Sequence, residues 1–434
     1  MRRSRTIPNP AGPASAAEVA GVVDHLFRRE AGRLVAILAR RFGPEHLHLA
    51  EDVVQDALAA AMQTWPYTGV PQNPTAWILQ TARNRALDQT RRRKVFQEKQ
   101  PALIALVEGC LDASGADQPR FEDEIQDSQL RMMFVCCHPG LPAESQVALT
   151  LKVLCGFGEG EIAAAFLTTP EAMAKRLVRA RQFLREEAIA PELPSAGEAV
   201  SRVESVHRAL YLLFNEGHKS SGGGALIRED LCFDAIRLAE LLVCQPLPTR
   251  PETHALLALM YFLAARLPAR LDAAGEILLL HRQDRSRWDR GKITRGLEHL
   301  EASAGGAGVS RYHLEAGIAA CHALAPDGDG TDWRRILELY DDLAALDGSP
   351  VIALNRAVAL AQVRGPMAGL KALAAIADRP VLENYHLFFS VAGQLWLDNG
   401  DRGKAEECLR RSRELARHAA EREQLSRRIE AMRG

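Results

Sequence analysis

The sequence predicts an all-α protein built from several helical domains. Ala, Leu, Arg and Glu dominate the chain, and the runs of β-branched residues that favour strands are scarce. Apolar residues recur every three or four positions in several long segments, which is the period of an amphipathic helix. With 434 residues, of which 47% are hydrophobic, the chain is long enough for two to four domains.

The N-terminal segment 1–18, MRRSRTIPNPAGPASAAE, is basic and lacks the apolar core of a secretory signal, so we predict a disordered tail. No apolar run approaches the roughly 18 residues of a membrane span. The eight cysteines include no CxxC pair, and Cys136-Cys137-His138 is their only cluster. We therefore expect buried, reduced thiols in a cytoplasmic protein, with no cofactor, and regard a metal site as the less favoured alternative.

Charge is distributed in blocks, although the net charge is only −1. Residues 1–94 hold 14 Lys/Arg against 8 Asp/Glu, whereas residues 98–128 hold 2 against 8. Blocks of opposite sign indicate distinct partners along the chain. Because the second block also contains Pro101, Gly115 and Pro119, we predict an acidic linker over residues 96–127.

Residues 19–66 predict two or more helices, and the segment from Trp77 to about Arg93 predicts another. In this third helix Ile78, Leu79, Ala82 and Ala86 form an apolar stripe. The opposite side carries residues suited to DNA: Gln80, Arg83, Asn84, Arg85, Asp88 and the run Arg91-Arg92-Arg93-Lys94. Trp77 and Trp65-Pro66-Tyr67 could stack on unpaired bases or belong to the core, and the basic run could be a solvated helix end.

Residues 128–189 predict a compact helical unit that ends in a helix-turn-helix. Thr169 is suited to the N-cap and Pro170 to the first helical position. A stripe of Met173, Leu177, Ala180 and Leu184 leaves Glu171, Lys175 and Arg179 on the other face. This arrangement fits a helix that reads the major groove, although an Arg-rich helical hairpin with a solvated face is the alternative.

The segment Leu49–Asp56, LAEDVVQD, places Asp52 and Asp56 one helical turn apart with Gln55 on a nearby flank. Such an acidic and amide surface favours docking of a basic partner; a solvated helix face is the alternative.

The rest of the chain predicts a helical extension over residues 195–305 and helical repeats over residues 306–434. Ala357–Leu373 aligns with Ala392–Cys408 at an offset of 35 residues, which places Gly365 on Gly400. Helix pairs with a turn glycine at about 34 residues are typical of tetratricopeptide repeats, which bind peptides or proteins. An ordinary helical bundle is the alternative.

Several of these motifs occur in one order: ED-V-Q-D, then W-I-L…ARNRALD…RRRK, an acidic linker, and E-I-A-x-x-F…M-A-K-R-L-V-R-A-R. In this order they resemble region 2 (residues 19–95) and region 4 (residues 128–189) of bacterial extracytoplasmic-function sigma factors. The later segments YLLFNEGHKSSGG and LLLHRQDRSRWDR, followed by repeats, resemble the subgroup that carries a long C-terminal extension.

The resemblance implies partners and site residues. Core RNA polymerase would be bound through its largest-subunit clamp helices and flap, with the contacts to the clamp helices made by Asp52, Val53, Gln55 and Asp56. The −10 element would be opened and read by the segment Asn73–Lys94, through Trp77, Gln80, Arg83, Asn84, Asp88, Arg91, Arg92 and Arg93. The −35 element would be read as duplex DNA by Pro170–Arg185, through Glu171, Lys175, Arg176, Arg179 and Arg181. The positions that match the family's Lys-Ser-Arg triplet are Ala174, Lys175 and Arg176, so the −35 sequence is not defined by the resemblance.

We therefore predict a sigma factor without catalytic residues, regulated by its own extension, whose repeats bind a protein or peptide. A transcriptional activator with tetratricopeptide-type repeats, which would bind DNA without replacing sigma, is the alternative. An enzyme with a regulatory helix-turn-helix would need Glu216 or His218 as metal ligands, but the chain has no HExxH spacing. Asp284, Arg285, Trp288 and Asp289 predict a charge-paired helix surface with a Trp anchor, which packs the extension onto the sigma regions or onto polymerase.

Overall fold

The structure is a computed structural model, which describes residues 15–43, 46–94, 128–166, 168–187, 189, 196–219, 227–244, 251–272, 275, 278–305, 308–377, 380–416 and 419–433. Helices dominate these residues, and no strand element is found within these ranges. The all-α prediction is therefore confirmed. The chain divides into two compact units, Met1–Thr249 and Arg250–Gly434.

Three helices form the first part of unit 1: α1 (Ala16–Phe42), α2 (Leu47–Thr68) and α3 (Pro74–Lys94), each packed on the other two. Helix α1 begins inside the segment 1–18 that was predicted as a tail, because Ser15 and Glu18 form a capping box. Residues 1–14 lie outside the described chain, and so does the whole of the predicted acidic linker 96–127, since residues 95–127 are not described.

The second part of unit 1 contains α4 (residues 128–136), α5 (Ala143–Leu154), α6 (Glu159–Ala165) and α7 (Pro170–Glu186). Helix α7 packs on both α5 and α6. The predicted start of α7 is confirmed, because the Thr169 hydroxyl accepts a hydrogen bond from the Ala172 amide (3.3 Å) and Pro170 occupies the first turn. The predicted apolar stripe of α7 is also confirmed: Met173, Leu177, Ala180 and Leu184 are all buried.

Two further helices follow in the part of unit 1 that the structure describes, α8 (Ala196–His218) and α9 (Glu229–Cys244), which pack on each other. Helix α8 also packs on α5. The close approach of α8 to the start of α9 depends on Gly217, because a Cβ there would lie 2.7 Å from the Cys232 nitrogen. The beginning of the extension thus shares a core with the helix-turn-helix.

Unit 2 consists of helical pairs that follow one another along the chain. Its helices are α10 (Pro251–Ala265), α11 (Arg290–Ser303), α12 (Arg311–Leu324), α13 (Trp333–Leu346), α14 (Pro350–Arg364), α15 (Pro366–Ala374), α16 (Pro380–Glu383), α17 (His386–Asp398), α18 (Arg402–Leu415) and α19 (Ala419–Arg433). Successive clusters of buried residues join α12 to α13 and α14, then α14 to α15 and α17, and finally α18 to α19.

The two segments that align at an offset of 35 residues both form a helix, a turn and a second helix: α14 with α15, and α17 with α18. The turn glycines Gly365 and Gly400 have φ angles of 88° and 86°. Because side chains strain the backbone at such angles, glycine is favoured at both turns.

Candidate polymerase and DNA interfaces

The N-terminal half of α2 exposes a short acidic and amide surface. The side chains of Asp52 and Gln55 are exposed, whereas Asp56 is half-buried and pairs with the guanidinium of Arg85 (3.6 Å). Val53 is 0% exposed, so we place it in the core beneath this surface rather than on it. We call Asp52, Gln55 and Asp56 the α2 acidic face; it offers two carboxylates and an amide to a basic partner.

Glu51, immediately before the α2 acidic face, contacts α7. Its carboxylate accepts a hydrogen bond from Arg181 at 2.8 Å, across 130 positions of sequence. Burial raises the pKa of Glu51, although Arg181 and Lys152 act in the opposite direction. The ion pair is therefore largely removed from water, and Arg181, which was predicted to contact the −35 element, is engaged within the chain.

The predicted apolar stripe of α3 is confirmed, because its residues are all buried: Ile78, Leu79, Ala82 and Ala86. On the other side the Gln80 amide donates to the Asn84 carbonyl oxygen (3.3 Å), and both Asn84 and Asp88 are exposed. Arg83 was expected to lie on the surface and contact a phosphate, but the residue is only 8% exposed. The side chains of Arg91, Arg92 and Arg93 lie outside the described residues, although their backbone continues α3.

The aromatic residues before α3 separate into core and surface. Trp65 is fully buried, and the half-buried Trp77 meets it edge to face, with ring centroids 5.3 Å apart. Tyr67, two residues after Trp65, is 84% exposed. The core interpretation therefore holds for Trp65, while Tyr67 presents a free ring face close to the turn that leads into α3.

The outer face of α7 carries both exposed and engaged cations. Glu171, Lys175 and Arg179 are exposed, as the helical period predicts. Arg176 instead pairs with Glu144 at the start of α5 (2.8 Å). Exposed cations on a packed helix after a short turn form a surface that fits the major groove of duplex DNA.

The cysteine cluster is buried in unit 1. Cys136 and Cys137 are both inaccessible, and burial raises the pKa of Cys137 to about 12. A thiol with that pKa is protonated at neutral pH and is a weak nucleophile. Within the described ranges, no group of three or more His, Cys, Asp or Glu side chains is placed to hold a metal ion.

The segment 284–289 joins helices within unit 2, which explains its charged residues and tryptophan. Arg285 donates to two carbonyl oxygens at the C-terminal end of α12 (2.6 and 3.0 Å), and its guanidinium lies 4.6 Å from the ring centroid of buried Trp288. Asp284 caps a short 3₁₀ turn and Asp289 caps α11. Asp284 and Asp289 therefore cap the starts of helices, and Arg285 binds the C-terminal end of α12. This differs from the predicted charge-paired surface.

Glu216 and His218 lie at the end of α8 in unit 1. Glu216 is buried, and the His218 ring stacks on Phe214 with centroids 5.9 Å apart. Both residues therefore lie in the last turn of α8, which ends at His218.

Comparison with known proteins identifies three segments. Residues 26–95 match sigma-70 region 2, residues 131–184 match sigma-70 region 4, and residues 202–304 match a family of unknown function, DUF6596. An uncharacterized protein of Rhizobium meliloti (strain 1021) is 36% identical over 379 residues, which is 87% of this chain and 88% of that protein. No solved structure matches the chain.

None of the helices that the structure describes combines the length with the apolar character that crossing a bilayer requires. The region 2 match spans α2 and α3, with the α2 acidic face and the polar face of α3, and the region 4 match spans the helix-turn-helix with α7. These regions bind core RNA polymerase and promoter DNA and belong to initiation factors, which are not enzymes. The chain therefore belongs to the family of the Rhizobium protein and is a sigma-70-type sigma factor of the extracytoplasmic-function class, with a further helical segment after region 4.

Proposed function

We propose that this sigma factor docks on core polymerase through the α2 acidic face, reads the −10 element with α3 and reads the −35 element with α7. The observation that best supports this proposal concerns α7: its apolar stripe is completely buried, while Lys175 and Arg179 are exposed on the opposite side. A helix held in this way can enter the major groove without losing its packing. A factor that joins core polymerase acts in the cytoplasm, and we place the chain there.

At the −10 element, the exposed amide of Asn84 is suited to a base edge, and the basic end of α3 is suited to phosphates. Tyr67 adds a ring on which an unpaired base can stack, which is worth about 1–3 kcal/mol per base. Extruding a base costs a few kcal/mol, so stacking together with phosphate contacts offsets much of that cost. No nucleotide hydrolysis is needed for this step.

At the −35 element, Lys175 and Arg179 supply contacts to the duplex, and Glu171 lies at the N-terminal end of α7, where helices of this kind approach base edges. Arg176 and Arg181 join them only when their ion pairs with Glu144 and Glu51 open. The acidic linker 96–127 carries the chain between the two elements, and its negative charge suits the positive channels of polymerase.

We further propose that the extension regulates the sigma regions. Its support is a set of contacts from the extension to region 4: Arg202 donates to the Phe134 carbonyl (3.3 Å), and Arg228 pairs with Glu161 (3.0 Å). In unit 2, helix pairs whose cores join neighbour to neighbour are typical of repeat proteins. We propose that these pairs are tetratricopeptide-like and bind a protein or peptide partner.

The test is run-off transcription with purified core polymerase on a library of random promoters. The full chain should confer initiation at a defined set of sites, and a chain that ends at Thr249 should change the yield from those sites. If the full chain selects no initiation sites, the sigma-factor roles proposed for these residues are contradicted. If both chains give equal yields, only the regulatory role of unit 2 is contradicted.

The alternative, an activator that binds DNA without replacing sigma, is not favoured. Such a protein needs a DNA-reading helix but has no use for region 2, and region 2 is matched over residues 26–95.

A further inference from the structure

Several arginines of unit 2 come together where the end of α10 meets the segment 278–289. A backbone hydrogen bond from the Leu278 amide to the Arg270 carbonyl oxygen (2.7 Å) joins the two stretches. The side chain of Arg270 is buried, and that of Arg266, directly after α10, is half-buried. Neither arginine lies in the surfaces proposed for polymerase or DNA, so the proposed function does not account for them.

Two guanidinium groups lie against the ring of Trp288, which is only 3% exposed. The Cζ atom of Arg285 is 4.6 Å from the ring centroid, and the Cζ atom of Arg266 is 5.7 Å from it. An aromatic face attracts a cation through its quadrupole, but the ring carries no net charge. The ring therefore brings two like charges together without neutralising either of them.

The titratable groups here respond to this accumulation of positive charge. Burial, together with repulsion by Arg270 and Arg285, lowers the pKa of Arg266 to about 10. Burial and the positive charges of Arg266 and Arg285 also lower the pKa of His322 to about 4, so the His322 ring is neutral at neutral pH. This corner of unit 2 is thus strongly positive, although the net charge of the whole chain is −1.

The compensation of Arg285 and Arg266 differs. Arg285 donates to two carbonyl oxygens at the C-terminal end of α12, where the helix dipole is negative. Arg266 donates through Nε to the buried side chain of Gln283 (3.2 Å), which in turn donates to the Leu278 carbonyl oxygen (3.0 Å). Among the described residues, the two terminal nitrogens of Arg266 have no acceptor, and no carboxylate lies within ion-pair distance of them. Gln283 therefore orients the Arg266 guanidinium but leaves its terminal nitrogens unpaired.

Two neutral polar atoms near these cations also make no hydrogen bond within the described part of the chain. They are Nε1 of Trp288 and Nδ1 of His322, and both are buried. Buried polar atoms in proteins nearly always have a partner. The indole Nε1 is a donor, and a neutral imidazole can carry its proton on Nδ1. Both atoms are thus suited to donate to the same kind of ligand that the guanidinium of Arg266 attracts.

We propose that Arg266, surrounded by Arg270, Arg285, Trp288 and His322, binds a small oxyanion, either a phosphate ester or a carboxylate. A guanidinium presents two parallel N–H groups that match the oxygen atoms of both kinds of ligand. The cations are buried or half-buried rather than spread over an exposed face, which favours a small molecule over a protein surface. A bound anion supplies the counter-charge that Arg266 lacks and so offsets the cost of its burial.

This inference goes beyond the proposed function, because it assigns a small-molecule site to the extension. Binding of the anion needs neither polymerase nor DNA. If the extension regulates the sigma regions, the concentration of the anion becomes an input to that regulation.

The main test is isothermal titration calorimetry of the full-length chain with inorganic phosphate and, separately, with citrate, at an ionic strength held constant with chloride. We expect saturable binding of at least one of the two anions, with an affinity about tenfold or more weaker in Arg266→Met, which keeps the length of the side chain without its charge. Binding of phosphate alone would assign a phosphate ester as the ligand, and binding of citrate alone would assign a carboxylate.

Arg356→Met is the matched control. Arg356 is also a half-buried arginine of unit 2, but it pairs with Asp341. Its replacement removes the same charge from a compensated position, so the affinity for the anion should equal that of the wild type.

Hydrogen exchange of the full-length chain separates a ligand site from a purely structural arginine. The bound anion should slow exchange of the amides in the segment 278–289 in wild type and Arg356→Met, because a ligand stabilises the state that binds it. The same anion should have no effect on these amides in Arg266→Met. A purely structural role would instead speed their exchange in Arg266→Met equally with and without the anion, which contradicts the proposal.

Arg266→Lys covers the case in which Arg266→Met does not fold, as judged by circular dichroism. Lysine keeps the positive charge but lacks the planar pair of N–H groups, so the affinity should fall about tenfold. The proposal is overturned if the wild-type chain shows no saturable binding of either anion, or if the folded Arg266 variants bind as tightly as the wild type. A chain that binds the anion but not core polymerase contradicts the proposed function alone.

Discussion

At the scale of single residues, the basic side chains of α7 have different surroundings although they share one helix. Arg176 pairs with Glu144 and Arg181 with Glu51, while Lys175 and Arg179 are exposed. Long cationic side chains reach whichever carboxylate the neighbouring helix offers, so their partners depend on tertiary packing. In the packed chain Lys175 and Arg179 are therefore the cations best placed to meet duplex DNA.

Replacing Lys175 and Arg179 by Ala should weaken binding to a duplex that carries a selected promoter. Each lost phosphate contact releases one counterion fewer, so the slope of log K against log salt should become shallower by about 2. The measurement is fluorescence anisotropy over a range of salt concentrations. Arg364→Ala with Lys371→Ala, which removes an exposed Arg and Lys from unit 2, serves as the control; an unchanged slope in the α7 variant would show that this face does not touch phosphate.

The sequence predicted the exposed residues of α7 from helical period alone, but it did not predict Arg83, Val53 or Arg181. Arg83 was expected on the surface with its basic neighbours, and it is 8% exposed instead. Val53 follows Asp52 directly and so points away from the α2 acidic face into the core. The Glu51–Arg181 pair spans 130 positions, and no local pattern marks such a partner.

At the scale of elements, the apolar stripe of α7 anchors the helix in the core, whereas residues on its exposed face contribute little to that packing. Leu177 is fully buried, whereas the next residue, Val178, is 60% exposed. Substitutions at these two positions therefore compare the loss of a buried side chain with the loss of an exposed one on the same helix.

Leu177→Ala should lower the free energy of unfolding of the helix-turn-helix by about 2–5 kcal/mol, because it removes buried methyl groups and leaves a cavity. Val178→Ala, its neighbour, should change that free energy by no more than about 0.5 kcal/mol. Hydrogen exchange of the α7 amides in the full chain measures both. Similar exchange in the two variants would mean that the stripe does not anchor the helix.

Most helices were predictable because their ends carry local signals. Thr169-Pro170 before α7 and the glycines after α2 and α14 mark boundaries by capping and backbone geometry. The start of α1 was missed although Ser15 and Glu18 form the S-x-x-E capping pattern, since the basic segment 1–18 without an apolar core was interpreted as a tail. The local hydrogen bonds of the capping box thus decide where α1 begins.

At the scale of the whole molecule, the extension is divided between the two units. Helices α8 and α9 share a core with region 4, while residues after Thr249 form unit 2. Composition and repeats predicted a helical extension, but they could not predict this division. The contacts that create it, such as Arg202 to Phe134, join residues far apart in sequence.

The order of motifs predicted the sigma regions correctly, because those motifs are local and follow one another along the chain. Their packing against each other was not predicted. It includes the close approach of α1 to α5 at Gly32 and the ion pair between Glu51 and Arg181, neither of which has a periodic signature.

The most direct test of the account is the affinity of the full-length chain for core polymerase, measured for wild type and for Asp52→Arg. Asp52 is exposed on the α2 acidic face, so reversal of its charge should weaken binding about tenfold or more through repulsion of the basic partner. Glu301→Arg makes the same change of charge at an exposed site in unit 2 and should leave the affinity unchanged. Equal affinities for wild type and Asp52→Arg, or no binding of the wild-type chain, would contradict the account.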